Sequence, residues 1–408
     1  MGSEESLWSL VPIADFQVPL CQTADAARGT MRRLRESLQG LFRARSEVPP
    51  NQKVQRHCPN ADVLHTLSPA LDWAAAAASL AETLGEEWFA DPEPGRSVTT
   101  IVGPPGCDIA QMLQTLARDR GLTVLAAPCF QTLLESSPTS LPAFSPLEAQ
   151  IDRIVVIPQL ERWYLRHEDG MAVIRQLLRQ IRGSEQRILI GCDSWAWAFL
   201  QQAIGIQDML GPPLTLAPFD AERLDTWCRS IPHVRSCDIR TSDDGEAVFP
   251  DCPTADEQHT DDSRRSISAF IRNLSAHARG NPAVAMALWR FSLEQPESDA
   301  GEAEDTSEGT RTLMRATPPA QLPLPRLTDA SDRIDRIILH SVLLHGGMPA
   351  ARLSELLPFS ETEVERRTNL MCRTDVLQQV QGRLHVSLTA YPGVRQDLRN
   401  DGFLTDAF

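Results

Sequence analysis

The chain has 408 residues, 42% of them apolar and 23% charged, with a formal charge of -15. This is the composition of an ordinary globular protein with room for two or three cores, and the acidic balance argues against non-specific nucleic-acid binding, which draws its affinity from neutralised phosphates. Nine cysteines without a C-x-x-C pair argue for free thiols rather than a disulfide framework, and neither a signal core nor a run of ~18 apolar residues is present, so a cytoplasmic location is expected.

Residues 1–95 read as a helical accessory region. Met31, Leu34, Leu38, Leu41 and Phe42 fall near helical spacing in a stretch made basic by Arg28, Arg32, Arg33, Arg35, Arg43 and Arg45. A packed helix with a solvated arginine face is the favoured reading, with Arg32, Arg33 and Arg35 as candidate contacts for an acidic partner. An alanine-rich helical segment follows over 70–84, and Asp91-Pro-Glu-Pro-Gly95 marks a boundary.

From 96 to 216 short apolar runs alternate with helical ones. Strands are expected over 98–102, 122–126, 153–157 and 187–190, with helices over 109–118 and 170–182. β-branched runs separated by helices predict a parallel sheet with crossover helices. Between the first strand and first helix lies Gly103-Pro-Pro-Gly106, the place of a phosphate-binding loop. Such a loop needs G-x-x-x-x-G-K-[ST], the lysine for the β/γ-phosphates and the hydroxyl for magnesium. Counted from Gly103, those last three positions hold Asp108, Ile109 and Ala110, and the chain's single lysine is Lys53.

Residues 217–294 turn helical over 220–229 and 267–293, interrupted by an acidic insert, 237–263, expected as a surface loop. An acidic and proline-rich linker is expected over 295–330. The segment 331–408 predicts helices over 332–344, 350–357 and 361–370, Ser360 and Glu363 forming a capping box, then a hairpin over 376–380 and 383–386. Three helices and a hairpin form a winged-helix pattern.

On Ile101-Val-Gly-Pro-Pro-Gly106, the strand 154–157, Cys192-Asp193-Ser194 and Ala278-Arg-Gly-Asn-Pro-Ala-Val-Ala285, the chain resembles AAA+ and STAND-type P-loop ATPases followed by a winged helix. The resemblance implies an α/β fold: a P-loop NTPase-like core with a parallel sheet, a helical lid and a C-terminal winged-helix domain. It also implies a nucleotide-site remnant at Gly103, Pro104, Pro105, Gly106, Asp108, Pro158, Gln159, Asp193, Gly280 and Pro282. In the family the third strand ends in acids that hold magnesium and orient water; here Ile157 runs into Pro158-Gln159, and Glu161 is the nearest acid. ATP or ADP is therefore the ligand to test, with no cofactor expected, and Asp108 is expected to fill the place of a phosphate at the helix start.

Other candidates rank lower. Cys107 stands beside that helix start without a nearby histidine. His233, Cys237, Cys252 and His259 match no zinc spacing. Trp163, Tyr164, Trp195, Trp197 and Phe199 are expected as core packing under the lid. Arg162 and Arg166 lie at (i, i+4) spacing on an expected helix. Glu361, Glu363, Glu365, Arg366, Arg367 and Arg373 make the third winged helix mixed in charge, which favours protein contact or packing within the chain over DNA. Phe403, Leu404 and Phe408 form an apolar tail expected to be exposed and to dock into a partner. The sequence thus points to a catalytically inactive assembly, scaffold or regulatory subunit. Its expected partners are proteins, an active ATPase among them; a divergent ATPase switch and a DNA-binding regulator are the alternatives.

Overall fold

The computed structural model describes residues 7–20, 58–90, 98–135, 154–167, 169–250, 266–295, 312–327 and 332–408. They form two units: 1–17, 71–217 and 324–408 make the first, and 18–70 with 218–323 the second. Residues from Leu324 onward cluster in the same unit as the sheet.

The first unit is built on a six-stranded sheet of β1 (Leu10–Pro12), β2 (Val98–Gly103), β3 (Thr123–Val124), β4 (Val155–Ile157), β5 (Ile188–Asp193) and β6 (Leu214–Leu216), in the order β1-β6-β2-β5-β4-β3. Every pairing from β6 to β3 is parallel, and only β1 runs antiparallel, on β6. This is the α/β fold with the parallel sheet expected of a P-loop core. Its central strands are apolar because both faces are covered: Val155, Val156, Ile157, Ile188, Leu189 and Ile190 are all buried. The helix Ile109–Arg120 packs on β2 and β5, and the helix Trp73–Leu84 packs on it in turn. β1 corrects the all-helical reading of 1–95; a three-residue strand ending in proline gives too short an alternation to be seen in sequence.

In the second unit, β7 (Cys237–Thr241), β8 (Leu293–Glu294) and β9 (Thr312–Ala316) form a small sheet in the order β7-β9-β8. The expected acidic loop therefore begins as a strand and the expected linker contains one, paired in parallel from Cys237↔Thr312 to Thr241↔Ala316. Alternate burial of Ile239 and Thr241, and of Met314 and Ala316, gives them a core face that the surrounding acidic residues obscured. The helical run expected over 267–293 breaks into Ala269–His277 and Pro282–Ser292, because Arg279 and Gly280 take positive φ.

The C-terminal segment folds into helices Arg333–Leu344, Ala350–Leu356 and Glu361–Arg373, the hairpin β10 (Leu377–Val380) and β11 (Arg383–Val386), and a further helix Tyr391–Asn400. The two-sided capping box is at Asp332 and Asp335. Ser360 accepts the Glu363 amide, but the Glu363 carboxylate turns to Arg366 and Arg367 instead of closing the box.

Candidate functional site

The C-terminal segment is fastened to the tips of the parallel strands by buried polar contacts. After β5, the Ser194 hydroxyl donates to Asp406 Oδ2 (2.6 Å) and the Trp195 indole donates to the Tyr391 hydroxyl (3.0 Å). Asp406 also takes Arg395 Nε at 2.9 Å, in an ion pair whose side chains are 0% and 5% exposed. After β4, Tyr164 donates to the Leu344 carbonyl. Arg166 binds two histidines: its amide donates to His345 Nε2 (3.2 Å) and its guanidinium to His340 Nδ1 (3.2 Å). The other ring nitrogens face the carbonyls of Ser341 and Leu404. A carbonyl only accepts and an N–H only donates, so each ring is held as one neutral tautomer. Burial, helped by the Arg166 charge and opposed by the carbonyl hydrogen bonds, brings both imidazoles down to about 4.

These contacts correct two expectations. Leu160–Arg162 is a single 3-10 turn rather than the start of a helix, so Arg162 and Arg166 do not share a face. Phe408 is not exposed: it is 4% accessible and its ring meets Phe16 at 4.7 Å. Leu404 is half-buried with its carbonyl on His340, and Phe403 lies 5.1 Å from the His340 ring. The tail carries Asp406 into a charge network, and that anchors its apolar neighbours. Trp163, Trp195 and Trp197 are buried and Tyr164 stacks on Phe199; the polar atoms of Tyr164 and Trp195 meet the C-terminal segment. Arg32, Arg33, Arg35, Cys252 and His259 lie outside the described residues.

Between strand tips and hairpin lies a cleft of about 720 Å³. One wall is the turn after β2. Cys107 donates its amide to the Pro104 carbonyl (3.0 Å), with Pro105 and Gly106 (φ 87°) at the inner positions of the turn. Asp108 caps the helix through Gln111 N (2.9 Å), and the Ile109 amide binds Cys107 O (2.7 Å). Three amides near the helix start are thus met by acceptors of the chain itself. The Ile109 side chain is 5% exposed and turns inward. A Cβ added at Gly103 would stand 2.5 Å from it, and one added at Gly191 3.1 Å, so the two glycines make its socket.

The floor holds two carboxyl groups. Glu161 accepts the Asp193 amide at Oε2 (3.2 Å), and Asp193 caps the next helix through Trp195 N (2.8 Å). Burial pushes Glu161 up to about 7 and Asp193 well above the usual carboxylate range, the latter helped by Glu161 beside it. Gly346 presses on this acid from the C-terminal segment, where an added Cβ would stand 2.9 Å from Glu161 Cγ.

The opposite wall is β10–β11. Leu384 and Val386 are buried while Arg383 and His385 alternate with them toward the cleft. Arg383 donates to the Gly347 carbonyl at 2.6 Å. Burial and then repulsion from Arg162 draw its guanidinium down to about 10, against the pull of Glu161. Pro158, Gln159 and Arg162 complete the lining from the end of β4.

The structure therefore brings Gly103, Pro105, Gly106, Asp108, Pro158, Gln159 and Asp193 to one cleft, with Pro104 in the turn that borders it. Gly280 and Pro282 belong to the second unit, where the Gly280 carbonyl accepts the Phe219 amide. Arg383 and His385 were missed. Their alternation with Leu384 and Val386 groups them on one face, but sequence does not tell which surface that face meets.

On the third winged helix, Arg367 forks onto Asp332 (2.7 and 2.8 Å) and Asp335 (3.0 Å), and Arg366 pairs with Glu363 (2.9 Å). Among the described residues no group of three or more His, Cys, Asp or Glu is placed to hold a metal, and no helix is long and apolar enough to cross a membrane.

No protein family and no curated protein matches the chain. Solved structures similar to it include the Aeropyrum pernix ORC2 protein in ADPNP–ADP complexes (12% identity, 83% of this chain and 94% of that one, TM-score 0.35). The Aeropyrum pernix ORC1 protein in complex with DNA is 16% identical over 83% of this chain and 97% of that one, with TM-score 0.32. The Thermotoga maritima RuvB Holliday junction branch migration motor is 12% identical over 85% and 96%, with TM-score 0.28. The likeness is one of fold alone.

Proposed function

We propose that this chain is a P-loop ATPase-like protein that does not hydrolyse ATP and serves as an assembly, scaffold or regulatory subunit. The inward turn of Ile109 carries this reading. A P-loop ATPase uses that position for the lysine that reaches the β- and γ-phosphates. Here an apolar side chain fills a socket made by Gly103 and Gly191, and burying a residue of this size contributes about 1.5–3 kcal/mol. Asp108 adds a carboxylate where a phosphate would meet the helix start, Ala110 has no hydroxyl, and Pro158 and Gln159 put no carboxylate at the tip of β4. The residues present do not fit magnesium-bound ATP, and they support no phosphoryl-transfer step.

What remains is an α/β core with the C-terminal segment fastened to it by buried polar contacts, a platform for protein contact. Ion pairs within the chain occupy Arg366 and Arg367, which favours a protein partner over DNA. Calorimetric titration of the whole chain with ATP and with ADP, with and without magnesium, tests the reading. The expected result is no binding up to several hundred micromolar, roughly the weak end of useful affinity; tight, magnesium-dependent binding would overturn it.

A further inference from the structure

Arg162 and Arg383 reach the cleft from different elements, one closing the turn after β4 and the other opening β11. In each, Nε is buried and has no acceptor among the described residues. Arg383 spends its Nη2 on the Gly347 carbonyl. The two guanidinium groups are near enough that each Arg383 proton is held less firmly because of Arg162, and both depress the neighbouring His385 after burial has done so. The acid on which both arginines act, Glu161, is an incomplete counter-ion, because burial keeps its carboxyl part-protonated at neutral pH and one oxygen is on the Asp193 amide.

A buried donor without an acceptor is costly, and so are like charges held together. One kind of ligand relieves the like charges: a polyvalent oxyanion that offers several acceptors from a single centre, the chemistry for which guanidinium forks are suited. We infer that Arg162 and Arg383 hold a phosphate-type oxyanion, free or carried on a small organic ester, in the cleft facing the hairpin. The volume of about 720 Å³ leaves room for an organic group beyond the oxyanion, and the amides of Gln159 and Gln378 line the same space. The site makes no use of the closed turn after β2, so it stands whether or not nucleotide binds.

The test is calorimetric titration of the full chain at pH 7 and low ionic strength with inorganic phosphate and, separately, with glycerol 2-phosphate. Saturable binding is expected, weakened about tenfold or more in Arg162→Gln and in Arg383→Gln. Arg383→Gln also loses the Gly347 contact, so if that variant unfolds the decision rests on Arg162→Gln, since Arg162 Nε has no acceptor among the described residues. Tighter binding of the ester assigns the site to small phosphate esters, and equal affinity assigns it to free phosphate. No saturation by either probe up to about 10 mM, or unchanged affinity in folded Arg162→Gln, overturns the inference. Neither probe carries a nucleobase, so its failure leaves the proposal on ATP hydrolysis untouched.

Discussion

The two walls of the cleft are opposites. On the β2 side, an apolar residue is tucked into a glycine socket and amides near the helix start are bound by the chain itself. On the hairpin side, Arg383 is brought in with its Nε lacking an acceptor among the described residues. The lesson is that a phosphate-loop position and a phosphate-binding capacity are separable: the first is backbone geometry, and the second depends on which elements bring cations and free donors to the strand tips.

The largest way to break this contrast is to detach the hairpin wall. Arg395→Ala leaves Asp406 buried beside Ser194 and Tyr391 without its cation, which should cost about 3–5 kcal/mol in urea unfolding. A loss under about 1 kcal/mol would mean that the network does not fasten the segment. Glu161 gives the next effect. Its folded pKa of about 7 lies above the ordinary value, so its stabilising contribution is full below about pH 4.5 and is lost as pH rises through 7. Replacing it by Gln removes a gain of about 2 kcal/mol on going from pH 7 to pH 5. Unfolding free energies of parent and Glu161→Gln at the two pH values should therefore diverge by that amount; parallel profiles would place the acid in contact with water. The smallest effect is on the β2 side, where Asp108→Ala removes the helix cap and should lower stability by about 1 kcal/mol. A gain in stability instead would mark Asp108 as strained.

Much of the parallel sheet was legible because β4 is fully buried and β2 and β5 are buried over most of their length, so each carries a short run rich in apolar, β-branched residues. The residues at the β2 turn could be identified by counting from Gly103, although the inward turn of Ile109 required the glycines of two strands to be seen side by side. β1 and β6 are three residues each, too short to carry a period. The hairpin of the second wall was legible as an element, but its place against the strand tips was not. Arg383 and Glu161 are remote in sequence, and what joins them is the fastening of Asp406, Tyr391 and two histidines onto the strand tips. Charged residues such as Asp406 and Arg395 read as surface when each is taken alone; only their pairing makes burial tolerable.

In both units a sheet is completed by strands distant in sequence: β1 joins β6 with Leu10 opposite Leu216, and β7 joins β9 with Cys237 opposite Thr312. Neither pairing can form until a long stretch of chain has been closed into a loop, and that entropy is lost before the new contacts return anything. The consequence is kinetic: helices that form locally must wait for these non-local closures, so refolding belongs with slow, high-contact-order chains rather than with helical bundles.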